Sequence, residues 1–350
     1  MCLTPSSLDL PVFPVQEIPK AKISKRVLVG VVLVGIGVAP PLFGLQALLG
    51  QNVFTMVLFG IEIAILNTIY GNLKLGLMMS VVYLLFLPVS VVSGSIALAG
   101  ACLMALACLA MGISSRWQRF GGFYTVPLGM AFVMTLPASV THTFFGDPAK
   151  IRHLLIFVGA TAAACVWSSL ATHVFIGSVD IPFSAMNPKG ESVHYTVVMA
   201  VVVSVSSWWV LTFGVNDHGV WLILTLLIVL QMNRQTTRHK ILHRTGGTVC
   251  GAIFAALVVG LGEPHWFVMV VFYLMLIGTI AFLGQEPYAV FVFFLTNVVL
   301  LGLNTGVVGA SVDRLVFTLV GVAISLAVVV VEQILFPTNP EKASASASGS

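Results

Sequence analysis

Charge is what this chain most lacks. Only 8% of its 350 residues are Asp, Glu, Lys or Arg, against about 25% in an ordinary soluble domain. So few charges cannot cover a water-facing surface, which excludes a string of soluble domains. Cysteine is sparse and unpatterned: Cys2, Cys102, Cys108, Cys165 and Cys250 lie in the N-terminal tail or in apolar stretches, without CxxC or Cys/His ligand spacing. They read as small packing residues, so neither a disulfide framework nor a zinc site is expected. Gly-x-Ser-x-Gly, His-Glu-x-x-His and Asp-rich clusters are missing too. Intramembrane hydrolases and transferases need such a nucleophile with its base, or such a metal-holding cluster. No enzyme activity, cofactor, metal or nucleic-acid partner is expected.

What the chain has is hydrocarbon. Hydrophobic residues make up 58% and the mean hydropathy is +1.06. Apolar runs lie near 27–49, 52–70, 74–93, 95–113, 121–142, 152–178, 195–215, 218–233, 241–262, 265–283, 287–305 and 314–336. A helix crosses a bilayer with about 20 apolar residues. Each run is long and does not alternate, so helices rather than strands are predicted. The expected fold is all-α: a polytopic membrane protein of about twelve transmembrane helices, with the lipid bilayer as its first partner. The first run follows Lys20, Lys22, Lys25 and Arg26 without a convincing signal-peptidase site, so it is read as a retained helix.

The basic residues test this count. With the N-terminus in the cytoplasm, only Lys150, Arg152 and Arg314 fall outside, and the other thirteen of the 16 Lys and Arg fall inside. That is the positive-inside asymmetry of a membrane protein with both termini cytoplasmic. The 179–194 segment, with Pro182, Pro188 and Gly190, is the longest polar connection between runs. It divides the chain into a cytoplasmic tail (1–26), a six-helix half (27–178), a cytoplasmic linker (179–194), a second six-helix half (195–337) and a disordered tail (338–350). Arg152 with Gly159 opens the sixth run as Arg314 with Gly321 opens the twelfth. An even number of helices per half lets both halves enter from the same side, as two parallel repeats do.

The segment from Trp221 to Gly251 is the most informative. The apolar WLILTLLIVLQMN leads into the basic RQTTRHK and then HRTGGTVCGAIFAALVVG. The pattern Arg244-x-x-Gly247-Thr248-x-x-Gly251 returns in reduced form as Arg314-x-x-x-Thr318-x-x-Gly321. This combination resembles the FUSC superfamily, the fusaric acid resistance and aromatic acid exporter group, which is also similar to plant malate channels. The resemblance is best over roughly 195–337, including Phe336-Pro337. In the first half Lys74-Leu-Gly-Leu-Met stands where an Arg-x-x-Gly-Thr would be expected. The resemblance implies an inner-membrane transporter exporting aromatic or other organic carboxylates. It also implies a periplasmic adaptor protein as a partner in some members, and whether the chain works alone or as a homo-oligomer stays open.

Read as chemistry, the same residues offer alternatives. Arg244 either pairs bidentately with a carboxylate or anchors at the cytoplasmic headgroups by snorkelling. Gly247 and Gly251, with Thr248 between them, and Thr318 with Gly321, form small faces that let helices approach. Glu62 lies near the middle of the second run, in LFGIEIAILN. Desolvation disfavours a charged carboxyl there, so Glu62 is the leading proton-coupling candidate beside a purely structural carboxyl. Asn67 lies in the same run, and Gln231 and Asn233 at the inner end of the eighth; as repeats they would face one another across a pathway. His173 is a candidate proton shuttle or a packed histidine, and Asn297, beside Thr296, a mid-membrane amide. Trp208 and Trp209 are interface markers or stacking surfaces for a substrate. Asp313 and Arg314 are expected to pair locally. The fourth run, rich in Gly and Ala, is expected to be buried among helices. Pro40-Pro41, Pro88, Pro127 and Pro137 are expected to kink or break their runs.

Three functions compete: a carboxylate exporter driven by proton antiport, a passive anion channel and a structural subunit. A channel needs a continuous basic pore. Arginines at the membrane faces and an acidic residue at the deepest point favour the carrier.

Overall fold

In the computed structural model, residues 25–49, 51–114, 125–135, 148–177, 189–213, 219–230, 234–260, 265–282, 288–303 and 307–335 are described. They form helices, with no strand among them. In chain order these are α1 (Lys25–Leu49), α2 (Gln51–Tyr70), α3 (Leu73–Ser93), α4 (Ala97–Ser114), α5 (Thr125–Met134) and α6 (Pro148–Phe175). After them come α7 (Lys189–Thr212), α8 (Val220–Val229), α9 (Arg234–Gly260), α10 (His265–Ala281), α11 (Tyr288–Leu303) and α12 (Val307–Leu335). On length and composition seven can cross a bilayer: α1, α3, α4, α6, α7, α9 and α12. The other five, α2, α5, α8, α10 and α11, carry shorter apolar stretches of 10–17 residues. The chain is a multi-pass membrane protein.

Local sequence explains several ends. Between α2 and α3 the side chain of Asn72 accepts from the Leu75 N–H at 2.9 Å, satisfying a donor that the first turn leaves open. Helix α6 stops at Gly177, whose φ of +77° lies in the left-handed region and whose N–H donates back to the Thr172 carbonyl at 3.0 Å. Pro40-Pro41 and Pro88 do not end their helices, which continue through them; Pro127 lies in the first turn of α5, where its missing N–H costs nothing. Pro137 is outside the described residues.

The eighth predicted run comes out shorter than expected. Helix α8 stops at Val229, Leu230 is extended (φ −64°, ψ 116°), and its carbonyl accepts from the Tyr195 hydroxyl at 2.7 Å. Ten residues make about 15 Å of helix, half a hydrocarbon core. Helix α9, by contrast, starts at Arg234, so the basic segment read as a loop is helical.

Packing sorts the helices into an inner and an outer set. The described side chains of α2, α5 and α8 are almost all buried, and these three helices form the centre. Phe59 of α2 stacks on Phe132 of α5 at 3.8 Å between centroids, and Phe132 meets Trp221 of α8 edge-on at 5.2 Å. Outer helices keep apolar side chains exposed, among them Leu85, Leu155, Leu257 and Ile334; lipid tails solvate these as well as a protein core would.

Within the first half α2 packs on α6, α3 on α5 and α6, and α1 on α2; within the second, α8 packs on α12, α9 on α11 and α12, and α7 on α8. Besides the α5–α8 contact at the centre, two seams join the halves, α4 with α7 and α1 with α10. Small residues close both. Gly112 lies against Thr196 and Gly100 against Leu211 in the first, and a Cβ on Gly35 would stand 2.7 Å from Ile277 in the second. Helix α4 is thus not wholly enclosed: its small face meets α7, while Leu98, Leu106 and Ile113 stay exposed.

Candidate functional site

Two arginines lie in the interior of this apolar bundle. Arg244 and Arg314 are each 1% exposed, the largest fully buried side chains among the described residues. Arg244 does not snorkel to the membrane surface, and Arg314 turns inward to partners on α8 and α11.

The backbone explains why they converge. Helices α9 and α11 run parallel and very close, because α9 presents glycines at the closest approach. A Cβ on Gly247 would stand 2.5 Å from the Ala289 carbonyl, and one on Gly251 2.8 Å from Thr296 Cβ. Arg244 sits one residue before Thr245 and one turn before Thr248 on the same helix. Its Nη1 donates to the Tyr288 hydroxyl at 3.4 Å, and the His243 ring accepts the Ala289 N–H at 3.3 Å alongside. Farther along α11, Arg314 of α12 donates to the Thr296 hydroxyl at 3.1 Å. Tyr288 and Thr296 are eight residues apart, about 12 Å along the axis. The two guanidinium groups therefore stand at two levels of one column, and Thr248, one turn beyond Arg244, lies between these levels.

Arg314 has a second support. Its guanidinium carbon lies 3.8 Å from the centroid of the Trp221 ring, a cation–π arrangement strengthened by desolvation. Trp221 is in the first turn of α8, whose free N–H groups add positive potential. Helix α12 can bring Arg314 here because Gly321 seats on α8: a Cβ there would lie 2.8 Å from Thr225. Thr318, a buried residue, is one turn from Arg314 on α12.

These contacts leave polar groups unsatisfied. Nε of Arg244, Nε and Nη1 of Arg314, and the hydroxyls of Thr245 and Thr248 are buried without a hydrogen-bond partner, as is Oδ1 of Asn297. Asn297 spends its amide on the Phe293 carbonyl at 2.9 Å. Buried polar groups are nearly always paired in folded proteins, so orphaned N–H groups gathered on two cations are an anion-binding constellation.

Glu62 is the carboxyl of α2. Of the α2 side chains described between Val53 and Ile69, all are buried but Glu62, which is partly exposed. Its flanking neighbours Leu58, Phe59, Ile65 and Leu66 are each at most 8% exposed. Arg244 lies within Coulombic reach of its carboxyl, and Arg314 within reach of Arg244.

The remaining candidates fall elsewhere. Asn67 donates to the Ile63 carbonyl at 2.8 Å and to the Thr125 hydroxyl at 3.1 Å, a buried tie between α2 and α5. His173, in the last turn of α6, is exposed, as are Trp208 (43%) and Trp209 (39%) on α7. Gln231 and Asn233 lie outside the described residues. Sequence reasoning placed Trp221 at the head of the family-like segment and Thr296 beside Asn297 without giving either a role, and left Tyr288 unmarked; the paired arginines give all three one.

Residues 198–328 match the family model described as fusaric acid resistance protein-like. The match covers 131 of the 350 residues, all in the second half of the chain. The matched span holds both buried arginines, Trp221, Thr248 and Asn297, so the column is a feature of the fusaric acid resistance protein-like segment, with Glu62 contributed from outside it. No curated protein and no solved structure matches the chain.

Proposed function

We propose that this chain is a secondary transporter that moves organic carboxylates across the bacterial inner membrane in the export direction, with proton coupling at Glu62. The observation that carries the reading is the pair of fully buried arginines with orphaned N–H groups. An uncompensated charge inside a membrane protein costs several kcal/mol, and an anionic ligand offsets that cost. Arginine's planar fork pairs two N–H groups with the two oxygens of one carboxylate. Trp221 and the orphaned hydroxyls of Thr245 and Thr248 supply an aromatic wall and two further polar contacts, which suits aromatic or hydroxylated acids.

Two six-helix repeats would serve alternating access. The helix pairings support this: shifting the numbering by six carries α2–α6 onto α8–α12, α3–α5 onto α9–α11 and α3–α6 onto α9–α12. The same shift exchanges the two seams, α4–α7 and α10–α1. The arginine column belongs to one repeat only, since Lys74 and Arg152, at the corresponding places, are exposed. In this reading both termini are cytoplasmic, which puts Arg244 on the inner and Arg314 on the outer side of the site.

A passive anion channel is the second reading, and the buried column favours it more than the sequence does: arginines at two levels are what an anion pore requires. Flux in inverted vesicles separates the two. Carboxylate movement driven by an imposed proton gradient and lost in Glu62→Gln supports the carrier. Movement that follows voltage alone and survives the substitution supports the channel. No carboxylate movement by folded protein contradicts both.

A further inference from the structure

Arg314 is held by a chain of contacts that begins on another helix. Its Nη2 donates to the Thr296 hydroxyl of α11 at 3.1 Å, while Nε and Nη1 are buried without a partner. Thr296 is itself fully buried, and Gly251 of α9 lies against it. A Cβ on Gly251 would stand 2.8 Å from Thr296 Cβ, 3.0 Å from the Thr296 methyl and 3.0 Å from the Phe293 carbonyl. None of these can swing aside. Thr296 Cβ is fixed by the α11 backbone, and the Phe293 carbonyl also receives the Asn297 amide at 2.9 Å. The missing side chain at Gly251 therefore sets how near α9 the Thr296 hydroxyl sits, and with it where Arg314 is tethered.

The tether decides what Arg314 can offer. A guanidinium presents two in-plane forks, one from Nε with Nη2 and one from Nη1 with Nη2, and each uses a different Nη2 hydrogen. Thr296 takes one of those hydrogens and so closes one fork. The guanidinium carbon lies over the Trp221 ring, 3.8 Å from its centroid. One complete fork is left for a carboxylate. Resting on the carboxylate reading of this site, we propose that Thr296 is a positioning residue. It selects the guanidinium edge that meets the carboxylate, and Gly251 acts through it. Gly251 is then more than a packing residue of the α9–α11 contact. Without the Thr296 bond the guanidinium is free to turn over the Trp221 ring, and ordering it falls on the binding step. If Thr296 merely competed with the ligand for an N–H, its removal would tighten binding; if it positions Arg314, removal weakens it.

The test is calorimetric binding of benzoate to the full chain in nanodiscs. Thr296→Val keeps the shape that Gly251 meets and removes the hydroxyl. It should weaken benzoate binding at least about threefold, the cost of ordering one side chain on binding. Thr296→Ser, which keeps the hydroxyl, should stay within about twofold of wild type. Gly251→Ala should weaken binding in the wild-type background and add nothing in the Thr296→Val background, since the hydroxyl it acts through is gone. Each variant is first shown to be monodisperse and folded, and the two Thr296 variants decide the matter should Gly251→Ala not fold. Benzoate bound by Thr296→Val as tightly as by wild type, or more tightly, overturns the positioning role and leaves the carboxylate site standing. A Gly251→Ala loss that adds in full to that of Thr296→Val overturns the relay from Gly251. No binding of benzoate by the folded wild-type chain overturns the carboxylate reading, and the proposal with it.

Discussion

Arg314 shows how much a single buried side chain can be asked to do. It lies 3.8 Å from the Trp221 ring centroid, donates to Thr296 at 3.1 Å and keeps two N–H-bearing nitrogens free for a ligand. A lysine keeps the charge but neither stacks as a plane nor forks. Arg314→Lys should weaken carboxylate binding at least about tenfold, the loss of one charge-assisted hydrogen bond, with the protein still folded; calorimetry checks this. Asn67 is the contrasting case, because both of its donor bonds are spent inside the protein. Asn67→Leu should cost about 1–3 kcal/mol in thermal unfolding by removing both buried bonds, with flux per folded molecule unchanged. At this scale the sequence was partly legible. A carboxyl amid hydrocarbon is conspicuous anywhere, which is why Glu62 stood out. Arg314 did not, because its position near a helix end tells nothing of where a long flexible side chain turns, and here it turns inward to Trp221 and Thr296.

Elements were legible where hydropathy measures them. Each predicted apolar run overlaps a helix, because burying a backbone in hydrocarbon leaves no other way to satisfy its N–H and C=O groups. Ends were less so. Hydropathy measures how far a segment is apolar, and α7 and α9 continue as helices into polar residues at Lys189 and Arg234. It also carried the eighth run three residues past Leu230, where α8 has already ended. The α9–α11 contact carries its own prediction. At Gly247 the nearest obstruction is a backbone carbonyl, at 2.5 Å, which cannot swing aside, whereas at Gly246 nothing lies within 4 Å. Gly247→Ala should therefore lower stability by about 1–3 kcal/mol. Gly246→Ala should leave it unchanged or raise it by up to about 1 kcal/mol, alanine being the better helix former. Thermal unfolding in detergent compares the pair.

For the molecule as a whole, the two halves differ in what they contribute. The second carries the family match and the arginines, and the first supplies Glu62 and encloses the centre with α2 and α5. Composition alone placed the chain in a membrane, since 8% charge leaves no alternative. It could not say that charges from distant parts of the chain meet inside, because that follows from helix packing across the halves. Residues on the outer face should matter little to transport: His173→Ala and Trp208→Ala should each keep flux within about twofold, as surface substitutions away from special features do. The account turns on an anion site inside the bundle, and locating a bound acid tests it most directly. A structure of the full chain with 4-bromobenzoate, the bromine placed by its anomalous scattering, should show the carboxylate hydrogen-bonded to Arg244 or Arg314 in the space between α8, α9, α11 and α12. A bromobenzoate bound only at the lipid-facing surface, with both guanidinium groups untouched at saturating ligand, would contradict it.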